Sequence, residues 1–579
     1  MEIKTLFASA LLAAAILPAS AQELNESMTV QGAYDPVIRH HERLSGLPSR
    51  PELAAPGASL TTDSRGVPVS VDPMLSAFSA TAYAAELSKP QRGYLDISAG
   101  SYLNTSVSAG YRPIVSATQD LRIWLQHTSS SLYRPNELSP YRRRYDETLG
   151  TSYFRQFGAG ALSAAATYHL GYFNYYRVLT PWGHDQAAMN EDVPGYQTLN
   201  DFNLTAAWQS PRTDEGFFYG ARATYRYFGF NRVYEWSDFT DHTYASLKPT
   251  RENDMRLDLS GGYAFGAAGR LMLDVQGRWL NYANSPLSTA GFYGFTPAYN
   301  FAQGPVRLHA GVRLDLTSGV EGYEKFSTFH VAPDVAVSYS ASRFTASFEA
   351  RGGVKPNTLS GLHELAYYSC PTLLATTPAF APLDLTLRLG FGNFSGLSAE
   401  LFATYASVHN TPLAGTYPLY LFHQLATPES FILHPAYLNI HGFSLGGSLK
   451  YAFGNFVEAE GSLTYSPQNG SRGSFNGVDR PRWVLDTEAR VRPISDLTIA
   501  LGYEYRGVRH LYYRAAPGES LAALRLPDLY NLHARADYTF LRRFTVGVGV
   551  DNILSSHAWL TPDMPVEGIV VSGRFSVVF

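Results

Sequence analysis

The stretch VRLHAGVRLDLT (306–317) alternates without a break. Val306, Leu308, Ala310, Val312, Leu314 and Leu316 are apolar, whereas Arg307, His309, Gly311, Arg313, Asp315 and Thr317 are polar or small. Side chains alternate across a pleat, so a period of two over this length specifies a β-strand with one oily and one wet face. The same rule runs through MRLDLSGGYAF (255–265), DLTIALGYEYR (496–506), YNLHARADYTF (530–540) and FTVGVGVDN (544–552), and it dominates the chain from about residue 93. Runs of about ten to fifteen residues exceed the five or six usual in globular strands. They match the roughly nine to eleven that a tilted strand needs to cross a bilayer.

The connections alternate in length. Short links fall at 157–160, 265–269, 340–343, 453–455, 492–496 and 540–543, and Pro/Gly/Asn-rich long ones near 129–146, 178–195, 231–251, 355–380, 411–434 and 466–481. Tight turns on one rim and large loops on the other are the habit of outer-membrane barrels. The expected fold is therefore all-β: a transmembrane antiparallel β-barrel of about 18 to 22 strands, with short periplasmic turns and long extracellular loops. An even strand count places both termini in the periplasm.

Composition agrees. Aromatic residues make up 14% of the chain, with 39 Tyr and 33 Phe, while charged residues make up 16% against a usual ~25%. A formal net charge of −4 argues against nucleic acid as a partner. The single cysteine, Cys370, cannot pair within the chain. A soluble all-β protein is the rival fold. It would need a second layer over each oily face and shorter strands, whereas hydrocarbon covers a whole outward stripe. Outside the first residues no apolar run approaches the length of a spanning helix.

Those first residues, MEIKTLFASALLAAAILPASAQE, read as a signal peptide over 1–21. Lys4 precedes an apolar run from Leu6 to Leu17, and the small pair Ala19 and Ala21 marks cleavage after Ala21. The expected order is thus signal peptide (1–21), a periplasmic or lumen-inserted segment (22–90) and the transmembrane barrel (91–579). At the other end VVSGRFSVVF (570–579) places Phe575, Val577 and Phe579 on one face and finishes on an aromatic ring. That ending resembles the signal recognised by the barrel-assembly machinery, which becomes an expected partner beside outer-membrane lipid.

With the oily stripe outward, the wet stripe lines the lumen. It carries Arg256, Asp258, Arg307, Arg313, Asp315, Asp486, Glu488, Arg490, Arg535 and Asp537. Mixed signs predict little preference for cations or anions. Two roles stay open for them, a cross-strand charge ladder that satisfies the wall and contact with a ligand. Arg142, Arg143 and Arg144, in a long loop, are candidates for lipopolysaccharide phosphates. They serve equally well as a solvated loop.

Glu26, Ser27, Met28, Thr29, Val30 and Gln31 resemble the energy-coupling box of TonB-dependent receptors, which works by adding a strand to the sheet edge of a periplasmic coupling protein. The barrel from about 93 to 579 resembles the barrel of the same receptors, and VDNIL (550–554) is similar to the end of their penultimate strand. MTVQGAYDP (28–36), GYLDISAGSYLNTSVSAGYR (93–112) and FHVAPDVAVSY (329–339) together look like the Bacteroides-type subgroup of receptor-like barrels. The chain departs from those receptors in one respect. A folded plug of well over a hundred residues is missing, and only about seventy residues, rich in Pro, Ala and Ser (LPSRPELAAPGASL, 47–60), separate the cleavage site from the first strand. Barrels of about twenty-two strands are otherwise plugged. Residues 22–90, with the long links 355–380 and 411–434, are therefore expected to fold into the lumen.

The resemblance implies an outer-membrane receptor-like barrel that takes up or admits a ligand, with TonB as a partner. The alternatives are a non-transporting scaffold for a surface lipoprotein or secretion partner, and a passive porin-like channel. Enzymatic activity is not expected, nor is a cofactor or a metal site: His40 and His41 are adjacent and would point to opposite faces of a strand.

Overall fold

The structure is a computed structural model. It describes residues 92–579 apart from 132–142, 175–195, 212–214, 232–249, 267, 285–286, 288, 321–325, 366–375, 419, 422–423, 426–430, 471–472, 476–479, 514–521, 557–558 and 562–563. The signal peptide, the Glu26–Val30 box and the 22–90 segment lie outside the described residues, as do Arg142 and Cys370.

Twenty-two antiparallel strands close into a barrel. They are β1 Gly93–Gly100, β2 Thr105–Val115, β3 Gln119–Ser131, β4 Arg143–Phe157, β5 Gly160–Asn174, β6 Tyr196–Gln209, β7 Glu215–Phe230, β8 Arg251–Phe265, β9 Gly269–Ala283, β10 Ala290–Gln303, β11 Val306–Ser318, β12 Phe329–Ser340, β13 Phe344–Lys355, β14 Ala379–Phe394, β15 Leu397–Pro418, β16 Phe431–Phe453, β17 Val457–Tyr465, β18 Trp483–Ile494, β19 Leu497–Gly507, β20 Leu529–Phe540, β21 Phe544–Asp551 and β22 Val570–Val578. Each strand pairs with its sequence neighbours, and β22 pairs with β1 from Tyr94↔Val578 to Gly100↔Ser572. Closure leaves the wall no free edge among the described residues, so ladder N–H and C=O groups find their partners on neighbouring strands rather than in water.

Each short link anticipated from sequence is a turn on one rim, and β1 begins and β22 ends at that same rim. The link expected at 411–434 is different. It extends the β15–β16 hairpin, paired as far as Pro418↔Phe431. Its prolines had signalled a loop. Pro412 nonetheless sits in the ladder opposite Tyr437, just past a register shift between Val408 and Thr411, where a missing N–H is tolerated. A further hairpin, Arg509–Tyr513 with Ala522–Leu526, pairs in parallel with this extension at Gly415↔Tyr512. The 355–380 link instead carries one helix, α1 (Leu359–Leu365).

The outward face is oily and exposed. Leu149, Leu204, Leu257, Leu401, Leu501 and Val548 are among its exposed residues, an arrangement water would not tolerate over so wide an area. Aromatic rings border it at both ends. The short-turn border is rich in Phe: Phe217, Phe265, Phe453, Phe540 and Phe579 are exposed there. The loop border carries rings with polar handles. Tyr168 donates to Asn200 at 2.6 Å, Tyr225 to Asn253 at 2.8 Å, Trp279 to Tyr293 at 3.0 Å and Tyr505 to Asp528 at 2.8 Å. Ten residues separate Tyr530 from Phe540 and Phe443 from Phe453. At roughly 3.3 Å per residue and a tilt of roughly 40°, that is about 25 Å, the height of the apolar band of a membrane barrel.

Candidate functional site: the inner wall and the mouth

The inner wall follows from the same alternation read one residue out of step. Arg-x-Asp spacing puts a cation and a carboxylate on one face of one strand, and the pairs form there. Arg256 Nε donates to Asp258 Oδ1 at 2.9 Å, Arg313 Nε to Asp315 Oδ1 at 2.9 Å, and Arg535 Nε lies 2.8 Å from Asp537 Oδ2. Arg490 meets Glu488 in the same way and also reaches Glu460 at 3.5 Å. Other pairs run between strands. Arg226 holds Asp201 at 2.5 Å, Arg278 holds Asp254 at 2.6 Å, and Arg506 donates to Asp486 at 2.7 Å. These side chains are thus ion-paired along the wall, within a strand and between strands. Arg307 shares the inward register but lies exposed at the short-turn rim.

The sequence-derived residues separate into two groups. Arg256, Asp258, Arg313 and Asp315 line β8 and β11. Asp486, Glu488, Arg490 and Arg535 gather across the lumen, where β16–β22 and β1 form a recess of about 530 Å³. Sequence reading had not singled out several members of this recess: Lys450, Glu460, His533, Asp551 and Arg574. All occupy inward positions of their alternating strands, so the period alone marked them. What it lacked was the strand order that brings them together. Two glycines make the room. A Cβ on Gly547 would lie 2.1 Å from Asp537 Oδ1, and one on Gly502 would lie 2.3 Å from His533 Nε2. Lined by carboxylates and cations in near balance, the recess offers hydrogen-bonding sites of both signs. Among the described residues, no three His, Cys, Asp or Glu side chains are placed to hold a metal ion.

The seam beside this recess is locked by charge. Arg574 on β22 donates from Nε and Nη2 to Asp96 Oδ2 on β1 at 2.8 and 2.5 Å, and its Nη1 lies 3.8 Å from Asp537. Phe575, Val577 and Phe579 take the outward register opposite, and Phe579 N donates to Gly93 O at 2.9 Å while its ring stacks on Tyr111.

At the loop rim the link after β13 turns inward. Leu359 and Leu362 of α1 bury completely against Phe173, Leu199, Phe228 and Phe230, inward-facing residues of β5, β6 and β7. The helix is capped from the wall. Buried Glu252 on β8 accepts the Leu359 N–H at 2.7 Å, and Thr358 Oγ1 accepts that of Gly361 at 3.0 Å. Glu364 lies 3.6 Å from Arg226. His363 sits inside the aromatic cluster, its ring 5.8, 5.7 and 5.5 Å from those of Phe173, Phe228 and Phe230. Burial holds its imidazole well below the ordinary value, at about 3. Nothing in the sequence around 359–365 marks this socket, because its wall comes from strands more than a hundred residues away.

No protein-family model and no curated protein sequence matches the chain. Solved structures do. The ferric enterobactin receptor PfeA of Pseudomonas aeruginosa aligns with a TM-score of 0.61 at 12% identity, covering 84% of this chain and 81% of that one. The ferripyoverdine receptor of the outer membrane of Pseudomonas aeruginosa aligns at 0.58 and 10%, covering 84% and 72%. The FrpB iron transporter of Neisseria meningitidis aligns at 0.59 and 12%, covering 85% and 82%. At this identity the likeness establishes a shared fold, the closed 22-strand barrel.

Proposed function

We propose that this chain is an outer-membrane, receptor-like barrel of the Bacteroides-type subgroup that takes up or admits a ligand from the loop side. The observation that carries the reading is the inner wall. A closed 22-strand barrel carries paired charges along its inner face and bends one loop into its mouth, an arrangement suited to guiding a polar ligand rather than leaving an open pore. Both termini are then periplasmic, with the cleaved leader ending at Ala21. Residues 22–90 fill the lumen, and Glu26–Val30 pairs by strand addition with TonB. The outward bands meet lipid, and the Phe575, Val577 and Phe579 face is the mark read by the barrel-assembly machinery. Of the basic tract expected in a loop, Arg143 stands exposed at the loop end of β4, where lipopolysaccharide phosphates engage it, whereas Arg144 is turned inward and paired with Asp146 at 2.8 Å.

Conductance in planar bilayers tests this. The full chain is expected to be electrically silent, and removal of residues 22–90 to open it. Steady conductance by the intact chain would overturn the reading in favour of a passive channel. Stoichiometric recovery of a surface lipoprotein in mild detergent, with no periplasmic coupling protein, would overturn it in favour of the scaffold.

A further inference from the structure

The recess formed by β16–β22 and β1 bears on what the barrel takes up. We infer that it is a binding site for an organic cation, in which the carboxylates of Glu504 on β19 and Asp551 on β21 receive ammonium or guanidinium groups of the solute. This inference rests on the barrel's being a passage and names the class of its ligand, but the binding it describes is measurable whether or not anything is transported.

Counted as side chains, the charges of the recess are near balance; counted by their partners, they are not. Each of its Lys and Arg side chains is already committed. Lys450 reaches Glu460 at 3.2 Å, Arg490 holds Glu488 and lies 3.5 Å from Glu460, Arg535 lies 2.8 Å from Asp537, and Arg574 is locked to Asp96 at 2.5 Å. Asp486 has Arg506 at 2.7 Å. Glu504 and Asp551 are what remains. Among the described residues neither carboxylate has an ion pair or a side-chain hydrogen bond, and Glu504 Oε2 is buried without a partner. A buried carboxylate oxygen left bare costs free energy until a donor arrives, so the recess selects positive charge.

The neighbouring groups that could have met these carboxylates are turned elsewhere. Asn531 stands opposite Glu504 in the ladder but accepts the Asn552 N–H at 2.8 Å. His533, which the register sets level with Asp551, leans the other way across Gly502, where a Cβ would lie 2.3 Å from its Nε2, and stops 3.9 Å from Glu488. A further polar group lines the same recess. Ser98 on β1 is only 7% exposed, and its hydroxyl has no hydrogen-bond partner among the described residues. A serine hydroxyl accepts as well as donates. A metal ion fits poorly, since among the described residues no three His, Cys, Asp or Glu side chains are placed to hold one, whereas ammonium and guanidinium need only carboxylate and hydroxyl acceptors.

Spacing sets the length of the solute. Glu504 and Asp551 stand two strands apart and two residues out of level, so at about 4.8 Å per strand and about 3.3 Å per residue their Cα atoms are roughly 12 Å apart. Both side chains point into the lumen and converge there, because the wall is closed. The gap left between the carboxylates suits a flexible chain as long as a lysine side chain with an amine at each end. An anion of the same length would have to displace Glu488, Asp537 or Asp96 from the arginines that hold them.

The experiment uses the full chain in bilayer nanodiscs at about pH 8, where an alkyl amine is still an ammonium ion and a carboxylate has lost its proton. Cadaverine, pentanediol and glutarate, which share one length of carbon chain and differ in charge, are titrated by calorimetry. Cadaverine is expected to bind at least about tenfold more tightly than either of the others, and less tightly as salt is raised. Glu504→Gln and Asp551→Asn, which keep the shape and lose the charge, are each expected to weaken cadaverine about tenfold. The comparison of the three solutes on the parent chain decides the matter if the variants do not fold. Glutarate or pentanediol bound as tightly as cadaverine, or cadaverine held by either variant within about threefold of the parent, would overturn the inference. Entry of the same solutes into vesicles separates it from the receptor reading: cadaverine bound but excluded sinks the passage and leaves the site, whereas glutarate admitted with no cadaverine bound sinks the site and leaves the passage.

Discussion

Leu362→Ala probes how firmly the mouth is covered. Leu362 is 1% exposed and contacts a cluster built from Phe173, Leu199, Phe228, Phe230 and Leu359. Truncating a leucine this buried costs about 2–5 kcal/mol, the spread reflecting how far the site collapses. The socket wall is made of ladder strands that cannot close on the gap, so about 3 kcal/mol is a fair expectation within that range. The loss falls on docking, because β5, β6 and β7 stay paired without α1. Amide hydrogen exchange at constant pH reads it directly: the N–H groups of Leu359 and Leu362, bonded to Glu252 and to Thr358 O at 2.7 and 2.9 Å, should exchange roughly a hundredfold faster. Amides in the β12–β13 ladder should not change. Exchange of the two helix amides within threefold of the parent, or exchange in the parent at the rate of a free peptide, refutes the idea that apolar burial holds the helix.

Other expectations concern the cap, the seam and the bilayer face. Glu252→Ala removes the acceptor of the Leu359 N–H; a hydrogen bond contributes about 0.5–1.5 kcal/mol, so exchange at Leu359 should quicken about two- to tenfold while Glu252→Gln retains part of the protection. Arg574→Ala unpairs Asp96 where β22 meets β1 and should lower the temperature at which the barrel loses its compact migration on gels, by an amount that Asp96→Asn in the same chain does not add to. Leu501→Arg places a charge on the outward face, at a cost of about 2–4 kcal/mol in refolding into vesicles, whereas Thr498→Arg, on the inward register of β19, should refold like the parent. Equal penalties for the two would mean that hydrocarbon does not cover the outward face. Gly150→Val should displace Trp124, whose ring atoms lie 2.2 Å from where a Cβ would stand, and shift its fluorescence.

Local chemistry determined much of this protein. Whether a residue faces lipid or lumen depends only on its parity along a strand, so VRLHAGVRLDLT announces its two faces without reference to any other segment, and the short turns are visible wherever alternation breaks. The Arg-x-Asp pairs were legible for the same reason: 256 and 258, or 313 and 315, share a face within one strand. Tertiary structure alone decided what depends on partners far away in the chain. Arg574 and Asp96 lie 478 positions apart, and the count of 22 strands follows from the seam they close. The 411–434 region reads as a loop by its prolines and glycine, yet its backbone finds a ladder partner that propensity cannot supply. Membership of the recess and the docking of α1 are likewise collective. A closed barrel brings β16 near β1 and sets one wall against the loop of another, and no single stretch of sequence carries that closure.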